Sequence, residues 1–154
     1  MTPLATVRVE QGRSAATWPM WPTLIGDSLT GHRPATRFIA AEPAVCPTLT
    51  NGVCTYDFGD ALGMGPVVEM FTLGHRFVPE RMHSGGLHYH GNAPSLCMLV
   101  DHGVVEARAY KQSECFAEAV RFARSEGFIP APESAHAIRA GAETDAAREA
   151  GDAS

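Results

Sequence analysis

Lysine is almost absent from this sequence, and several sequence patterns are missing altogether. Eleven of the 12 basic residues are arginine, so Lys111 is the only side-chain amine available for Schiff-base chemistry. There is no G-x-S-x-G elbow of a serine hydrolase, and no G-x-G-x-x-G or Walker spacing of a phosphate-binding loop. The 4 cysteines include no C-x-x-C pair and no dense cluster, which predicts buried reduced thiols rather than a disulfide scaffold.

The sequence also lacks positive charge and long hydrophobic runs. A formal net charge of -5 and a pI of about 5.7 argue against nucleic acid and anionic membranes as partners. Pro19 and Pro22 interrupt the apolar stretch "AATWPMWPTLIG", which therefore predicts neither a signal-peptide core nor a membrane-spanning helix. With 154 residues, 45% of them hydrophobic, we expect a cytoplasmic protein with one buried core.

The order of the predicted elements indicates an α/β fold with a parallel sheet flanked by helices. The short apolar run at 35–43 is typical of a strand buried on both faces of such a sheet. Residues 45–78, rich in Gly, Pro and Thr, predict irregular connections with one short helix near 67–73. The second half predicts, in chain order, a helix at 94–102, a strand at 104–110, a helix capped by Ser113 and ended by Gly127, and an Ala-rich helix from Glu133.

The stretch "HSGGLHYHGNAP" at 83–94 contains three histidines and two adjacent glycines. His88 and His90 would point the same way on an extended segment, and His83 could approach as a third zinc ligand. The alternative is a loop whose histidines are simply hydrogen-bonded. The adjacent glycines indicate tightly folded backbone and no fourth ligand lies nearby, so the alternative is favoured.

Glu133 and His136 stand three residues apart at the start of the last predicted helix and share one face of it. A glutamate in the first turn of a helix is normally explained by the helix dipole alone. A catalytic role for Glu133 would require burial that perturbs its carboxylate, which the sequence does not reveal.

Three runs of the chain resemble one known family. They are "RFIAAEPAVCPTLTNGVCTYDFGD", "TLGHRFVPERMHSGGLHYHGNAPSLCMLV" and "GVVEARAYKQSECFAEAVRFARSEGFIPAPESAHAI". From about residue 37 to 138 they are similar to the C-terminal portion of the tryptophan synthase beta chain, and more narrowly to its divergent second branch. The resemblance implies part of a pyridoxal-phosphate fold type II enzyme, which makes tryptophan from indole and a serine-derived aminoacrylate.

The resemblance also implies roles for particular residues. Glu133 matches the glutamate that faces the cofactor's ring, and Phe58 matches the aromatic residue that lines the route for indole. His88 falls at the centre of the loop that closes the site, where the divergent branch usually carries Arg and the main branch Asp. Tyr89 and Gly91 are the candidates for holding a monovalent cation through their backbone carbonyls.

Three parts of a pyridoxal-phosphate site have no counterpart in this sequence. These are the Schiff-base lysine, the Gly-Gly-Gly-Ser-Asn phosphate loop and the Ser-Gly motif at the ring nitrogen; Lys111 does not correspond to the family's lysine. We therefore expect a truncated chain that is inactive alone and does not bind pyridoxal phosphate covalently. Its expected parts are a poorly defined segment at 1–35, the beta-like portion at 36–140 and a fraying acidic tail at 141–154.

Two alternatives remain open for the function. In the first, the chain is one half of a split enzyme, and a second chain supplies the missing parts. In the second, it is a small metal- or partner-binding module without catalysis. An apolar face left by the missing domain predicts self-association. Binding to an alpha subunit is less expected for the divergent branch.

Overall fold

The computed structural model describes residues 6–11, 26, 30 and 36–152 of the chain. In chain order these residues form β1 (Thr6–Gln11), β2 (Thr36–Pro43), β3 (Val53–Phe58), β4 (Val67–Thr72), a single 3₁₀ turn (Gly85–Leu87), α1 (Pro94–Asp101), β5 (Val105–Tyr110), α2 (Gln112–Glu126) and α3 (Pro132–Asp152). Strands β1, β2 and β5 form a parallel sheet with β2 in the middle. Strands β3 and β4 form a separate antiparallel pair. The predicted α/β fold is confirmed.

Strand β2 is buried on both faces, as its apolar sequence predicts. Because side chains alternate along a strand, β2 contributes to two separate clusters of buried residues. The cluster toward α1 and the hairpin contains Phe38, Ala40, Leu49, Met70, Cys97 and Val105. The cluster toward α2 and α3 contains Ile39, Ala41, Tyr110, Cys115, Ala135 and Ala140.

The prediction of irregular chain with a short helix near 67–73 is wrong, because β3 and β4 form a hairpin there. In β4, Met70 and Thr72 are buried while Val67 and Glu69 are exposed, which is the two-residue period of a strand. The connection at 59–66 is longer than the two-residue turn that marks a hairpin in a sequence. Because of that length, the sequence shows no turn signal from which the hairpin could be predicted.

The helix boundaries follow the predicted Pro and Gly positions, with one exception. Helix α1 begins at Pro94 and is followed by Gly103 at φ 69°, and α2 is followed directly by Gly127 at φ 79°. Glycine is favoured at both positions because their backbone is left-handed. The predicted cap at Ser113 is wrong. The residue before α2 is Lys111 and no side chain caps the helix, since the chain enters α2 directly from β5.

Helix α3 continues to Asp152 and packs against α2, β1 and β2. It crosses the predicted boundary at 140/141 without a break, and Thr144 beyond that boundary is buried. The three-part division of the chain and the fraying of 141–154 stay predictions. None of the helices in the described part of the chain has the length and apolarity that crossing a bilayer needs.

The cysteines are all free thiols, and three of them are buried as predicted. The fourth, Cys54 on β3, is exposed, so the prediction of a buried thiol is wrong there.

Gly52 provides a test of the packing beside the hairpin. A Cβ atom at Gly52 would overlap the carbonyl oxygen of Thr48 and lie 3.1 Å from that of Thr72, so backbone must move. We expect Gly52→Ala to lower the free energy of unfolding by about 1–3 kcal/mol in urea denaturation. Gly141→Ala, within α3 and with open space around it, should instead be neutral or raise it by up to about 1 kcal/mol. Equal effects of the two substitutions would contradict the packing.

Candidate functional site

The start of α3 and the histidine-containing loop meet at one hydrogen bond. The backbone N–H of Gly86 donates to Oε1 of Glu133 at 3.0 Å. A Cβ atom at position 86 would lie 3.2 Å from Cγ and 3.3 Å from Oε1 of Glu133, so the loop approaches this closely because Gly86 has no side chain. The contact places the carboxylate predicted to be catalytic against the loop predicted to close the site.

His136 does not form part of this contact, although it follows Glu133 by one helical turn. Its side chain is fully buried, and its Nδ1 lies 3.1 Å from the carbonyl oxygen of Pro132. Burial lowers the pKa of His136, which the Pro132 carbonyl and Glu133 partly oppose. His136 therefore packs as a neutral residue in the core, whereas Glu133 is half-buried and contacts the loop.

The three loop histidines have different surroundings. The ring centroid of His83 lies 6.2 Å from that of Phe116, and Nε2 of His90 lies 2.8 Å from the carbonyl oxygen of Phe58. His88, the predicted closing residue, is exposed. Among the described residues, no group of three His, Cys, Asp or Glu side chains is arranged to hold a metal ion. The zinc alternative has no support from this arrangement.

The two residues proposed as carbonyl ligands are fixed by neighbouring elements. The thiol of Cys46 donates to the carbonyl oxygen of Tyr89 at 3.0 Å. Burial, with Glu42 nearby, raises the pKa of Cys46 to about 11, so the thiol keeps its proton and remains a donor at neutral pH. Gly91 pairs with Thr72 in an antiparallel bridge that attaches the loop to the edge of β4. Cation binding by Tyr89 and Gly91 stays a prediction.

Glu42, at the carboxyl end of β2, holds the turn that follows β2 through its hydrogen bonds. Its buried carboxylate accepts hydrogen bonds from the N–H groups of Leu49 and Thr50, both at 2.9 Å, and from the hydroxyls of Thr50 at 2.7 Å and Thr48 at 3.2 Å. Burial raises the pKa of Glu42, and these hydrogen bonds oppose the shift. The side chain of Asn92 donates to the Thr48 hydroxyl and so connects the anchor to the histidine loop. No sequence pattern predicts a role for Glu42. The one signal in the sequence is that a carboxylate stands at the end of an apolar strand.

Phe58 is half-buried at the end of β3, and a carboxylate–histidine pair lies next to it. Oδ1 of Asp57 accepts from the Phe58 N–H at 2.8 Å and lies 2.7 Å from Nδ1 of His75, while Oδ2 accepts from the Thr72 hydroxyl at 2.8 Å. Burial alone would raise the pKa of Asp57, but the hydrogen bonds from Thr72 and His75 lower it to about 2. No sequence pattern predicts this pair, because the hairpin that brings the two residues together is itself not predicted.

The residues present do not fit the whole of a pyridoxal-phosphate site. Glu133 and the glycine loop could form its ring-facing wall. Lys111, however, is exposed at the turn between β5 and α2, and the family's phosphate loop is not in the sequence. The described residues thus include no counterpart of the lysine and phosphate loop that would anchor such a cofactor.

Comparison with known proteins finds tryptophan synthase beta chains among the relatives, and no family model matches the chain. "Tryptophan synthase beta chain 2" of Aquifex aeolicus (strain VF5) is 58% identical over 104 residues, which cover 68% of this chain and 24% of the relative. The protein of the same name from Aeropyrum pernix is 56% identical over 106 residues, 69% of this chain and 24% of the relative. That from Methanosarcina acetivorans is 52% identical over 115 residues, 75% of this chain and 26% of the relative.

A parallel sheet flanked by helices, together with these relatives, defines an α/β chain of pyridoxal-phosphate fold type II. Over its matched residues the chain is similar to tryptophan synthase beta chains, and the predicted resemblance is confirmed. The chain spans about a quarter of the length of the curated relatives it matches.

The neighbouring glycines of the loop test the Glu133 contact. We expect Gly86→Ala to lower the free energy of unfolding by about 1–2 kcal/mol, because the new methyl group displaces Glu133 and weakens its hydrogen bond. Gly85→Ala is the matched control, since a Cβ atom there meets nothing within 4 Å, and should change stability by less than about 0.5 kcal/mol. In a Glu133→Ala background the cost of Gly86→Ala should largely disappear. The same cost in both backgrounds would show that the contact is absent.

The depressed pKa of Asp57 predicts a loss of stability in acid. A carboxyl with a pKa of about 2 in the folded chain contributes stability above its unfolded value near 4, and loses it as the pH falls through about 2. Asp57→Asn should therefore reduce the fall in unfolding free energy between pH 4 and pH 2, measured by urea denaturation at each pH. Thr72→Val removes one donor and should give an intermediate slope. An unchanged slope in Asp57→Asn would contradict this role.

Proposed function

We propose that this segment works in a tryptophan synthase beta-type lyase, which joins indole to a three-carbon unit from serine and releases L-tryptophan. Pyridoxal phosphate, when bound in such an enzyme, supplies the electron sink for that unit. The contact between Glu133 and Gly86 carries the proposal. It brings the carboxylate that the family resemblance assigns to the cofactor's ring against the loop that the resemblance assigns to the site.

Glu133 is the proposed catalytic residue. It lies in the first turn of α3, and the Gly86 N–H fixes one of its oxygens. If the cofactor were bound, a carboxylate held in this way would face its ring and could hold or move a proton at the other carboxylate oxygen, Oε2, while keeping its position.

The loop and the hairpin contribute the remaining proposed roles. Phe58 lines the route for indole, and exposed His88 helps to close the site. The carbonyl oxygens of Tyr89 and Gly91 hold a monovalent cation. The hydrogen bond from Cys46 to Tyr89 is compatible with that role, because a carbonyl oxygen has two lone pairs.

The proposed reaction needs a Schiff-base lysine and phosphate donors, and this sequence has no counterpart of either, since Lys111 does not correspond to the family's lysine. We propose that the chain alone neither binds pyridoxal phosphate covalently nor makes tryptophan, and that the rest of a beta chain, in one polypeptide or a second one, supplies them. Leu62, Met64, Val78 and Ile129 are each more than 80% exposed, which favours contact with such a part or self-association. Co-purification decides whether an alpha subunit also binds.

Reconstitution tests this function. The chain would be co-expressed with the rest of the Aquifex aeolicus relative and assayed with indole, serine and pyridoxal phosphate. We expect the N-terminal part of that relative to supply the lysine and the phosphate loop, and its C-terminal end to supply the Ser-Gly motif. We expect tryptophan from the pair and none from either part. Glu133→Gln should lower kcat by about 100-fold or more, because it removes the proton-trading group. Glu149→Gln, at an exposed position on the same helix, should leave kcat unchanged.

A second readout does not depend on activity. Borohydride reduction followed by mass spectrometry should find the cofactor attached to the N-terminal part and never to Lys111 of this chain. Attachment to Lys111, or full activity in Glu133→Gln, would contradict the proposal. A pair that co-purifies in folded form without making tryptophan would contradict it as well.

A further inference from the structure

The pair formed by Asp57 and His75 lies outside the roles proposed above. Asp57 is on β3 and His75 follows β4, yet Oδ1 and Nδ1 lie 2.7 Å apart. The side chains are 10% and 28% exposed, so the carboxylate is mostly covered while part of the imidazole reaches the surface. Such a pairing orients a histidine that then acts through its other ring nitrogen.

The carboxylate determines which nitrogen of His75 carries the proton. With a pKa of about 2, Asp57 is ionised at neutral pH and can only accept hydrogen bonds. Nδ1 of His75 must therefore be the N–H donor of the pair. In the neutral ring, Nε2 then has a lone pair and is a hydrogen-bond acceptor.

The position of His75 is held by a second set of contacts. The Thr72 hydroxyl donates to Asp57 and accepts from the Gly74 N–H at 2.9 Å, which ties the residue before His75 to the same carboxylate. The Phe77 N–H donates to the Gly74 carbonyl at 2.8 Å and closes a turn around His75. Gly74 has φ 96°, a conformation that favours glycine. The imidazole is thus preorganised.

An aromatic ring lies next to His75. The His75 ring packs edge-on against Phe58, with centroids 5.3 Å apart and an interplanar angle of 80°. One oriented acceptor beside an aromatic ring matches a flat apolar ligand that carries a single N–H donor.

We propose that His75, oriented by Asp57, is a substrate-binding residue that accepts a hydrogen bond from the ring N–H of an aromatic substrate. This inference rests on the proposed function, in which that substrate is indole and Phe58 lines its route. Phe58 supplies apolar contact, and His75 distinguishes a ring with an N–H group from one without. His75 is thereby a specificity-determining residue.

The test uses the full chain labelled with ¹⁵N-histidine and ¹³C-phenylalanine, at a pH where the ring is neutral. We expect the Nδ1–H form of His75, and we expect Asp57→Ala to abolish this preference, because no carboxylate then accepts a hydrogen bond from Nδ1. Titration with indole should shift the Nε2 resonance of His75 and the ring resonances of Phe58. His102, exposed beyond the end of α1, should not respond.

The comparison ligand is 1-methylindole, which lacks the N–H donor and requires no variant of the protein. Its dissociation constant should be about 3-fold to 10-fold higher than that of indole, the usual effect of losing one neutral hydrogen bond. Asp57→Ala should reduce this difference, because Nε2 of His75 is then no longer fixed as the acceptor.

Three results would overturn the inference. An Nε2–H form in the unchanged chain would do so directly. Equal affinity for the two ligands, with Phe58 responding and His75 silent, would reject the role of His75 and leave the indole route intact. If neither Phe58 nor His75 responds to indole, the proposed route itself fails and this inference fails with it.

Discussion

Because Phe38 and Ala40 point to one side of the sheet and Ile39 and Ala41 to the other, strand β2 requires apolar cover on both faces. The hairpin and α1 cover one side, and α2 and α3 cover the other. Helix α3 covers one face through Ala135 and Ala140, and the histidine loop is attached to β4 by the bridge between Gly91 and Thr72. Glu133 and Gly86 meet where these two parts of the chain come together.

Carboxylates at strand ends then organise the loops. Glu42, at the end of β2, accepts four hydrogen bonds from the turn that follows it. The hydrogen bond from Asn92 to Thr48 connects this turn to the histidine loop. Asp57, near the end of β3, does the same for the chain around His75. A buried carboxylate is costly to leave without donors, so each of them restricts the loops to conformations that supply donors.

Local patterns predict much of the fold. The apolar run of β2 and the Pro and Gly at the helix ends act within a few residues, and they predict these elements correctly. The hairpin is missed because its connection carries no turn signal of the usual length. The site depends on contacts between distant residues, such as Gly86 with Glu133 and Asp57 with His75, and spacing along the chain does not encode these. Spacing makes Glu133 a candidate and the family resemblance assigns its role, whereas nothing in the sequence singles out His75.

The hydrogen bond between Gly86 and Glu133 is the central claim, and the amide resonance of Gly86 reports on it most directly. In ¹H–¹⁵N spectra of the chain, an amide proton bonded to a carboxylate resonates downfield. Glu133→Gln should move the Gly86 signal upfield and leave that of Gly127, at the far end of α2, in place. A Gly86 resonance that is the same in both chains would contradict the account.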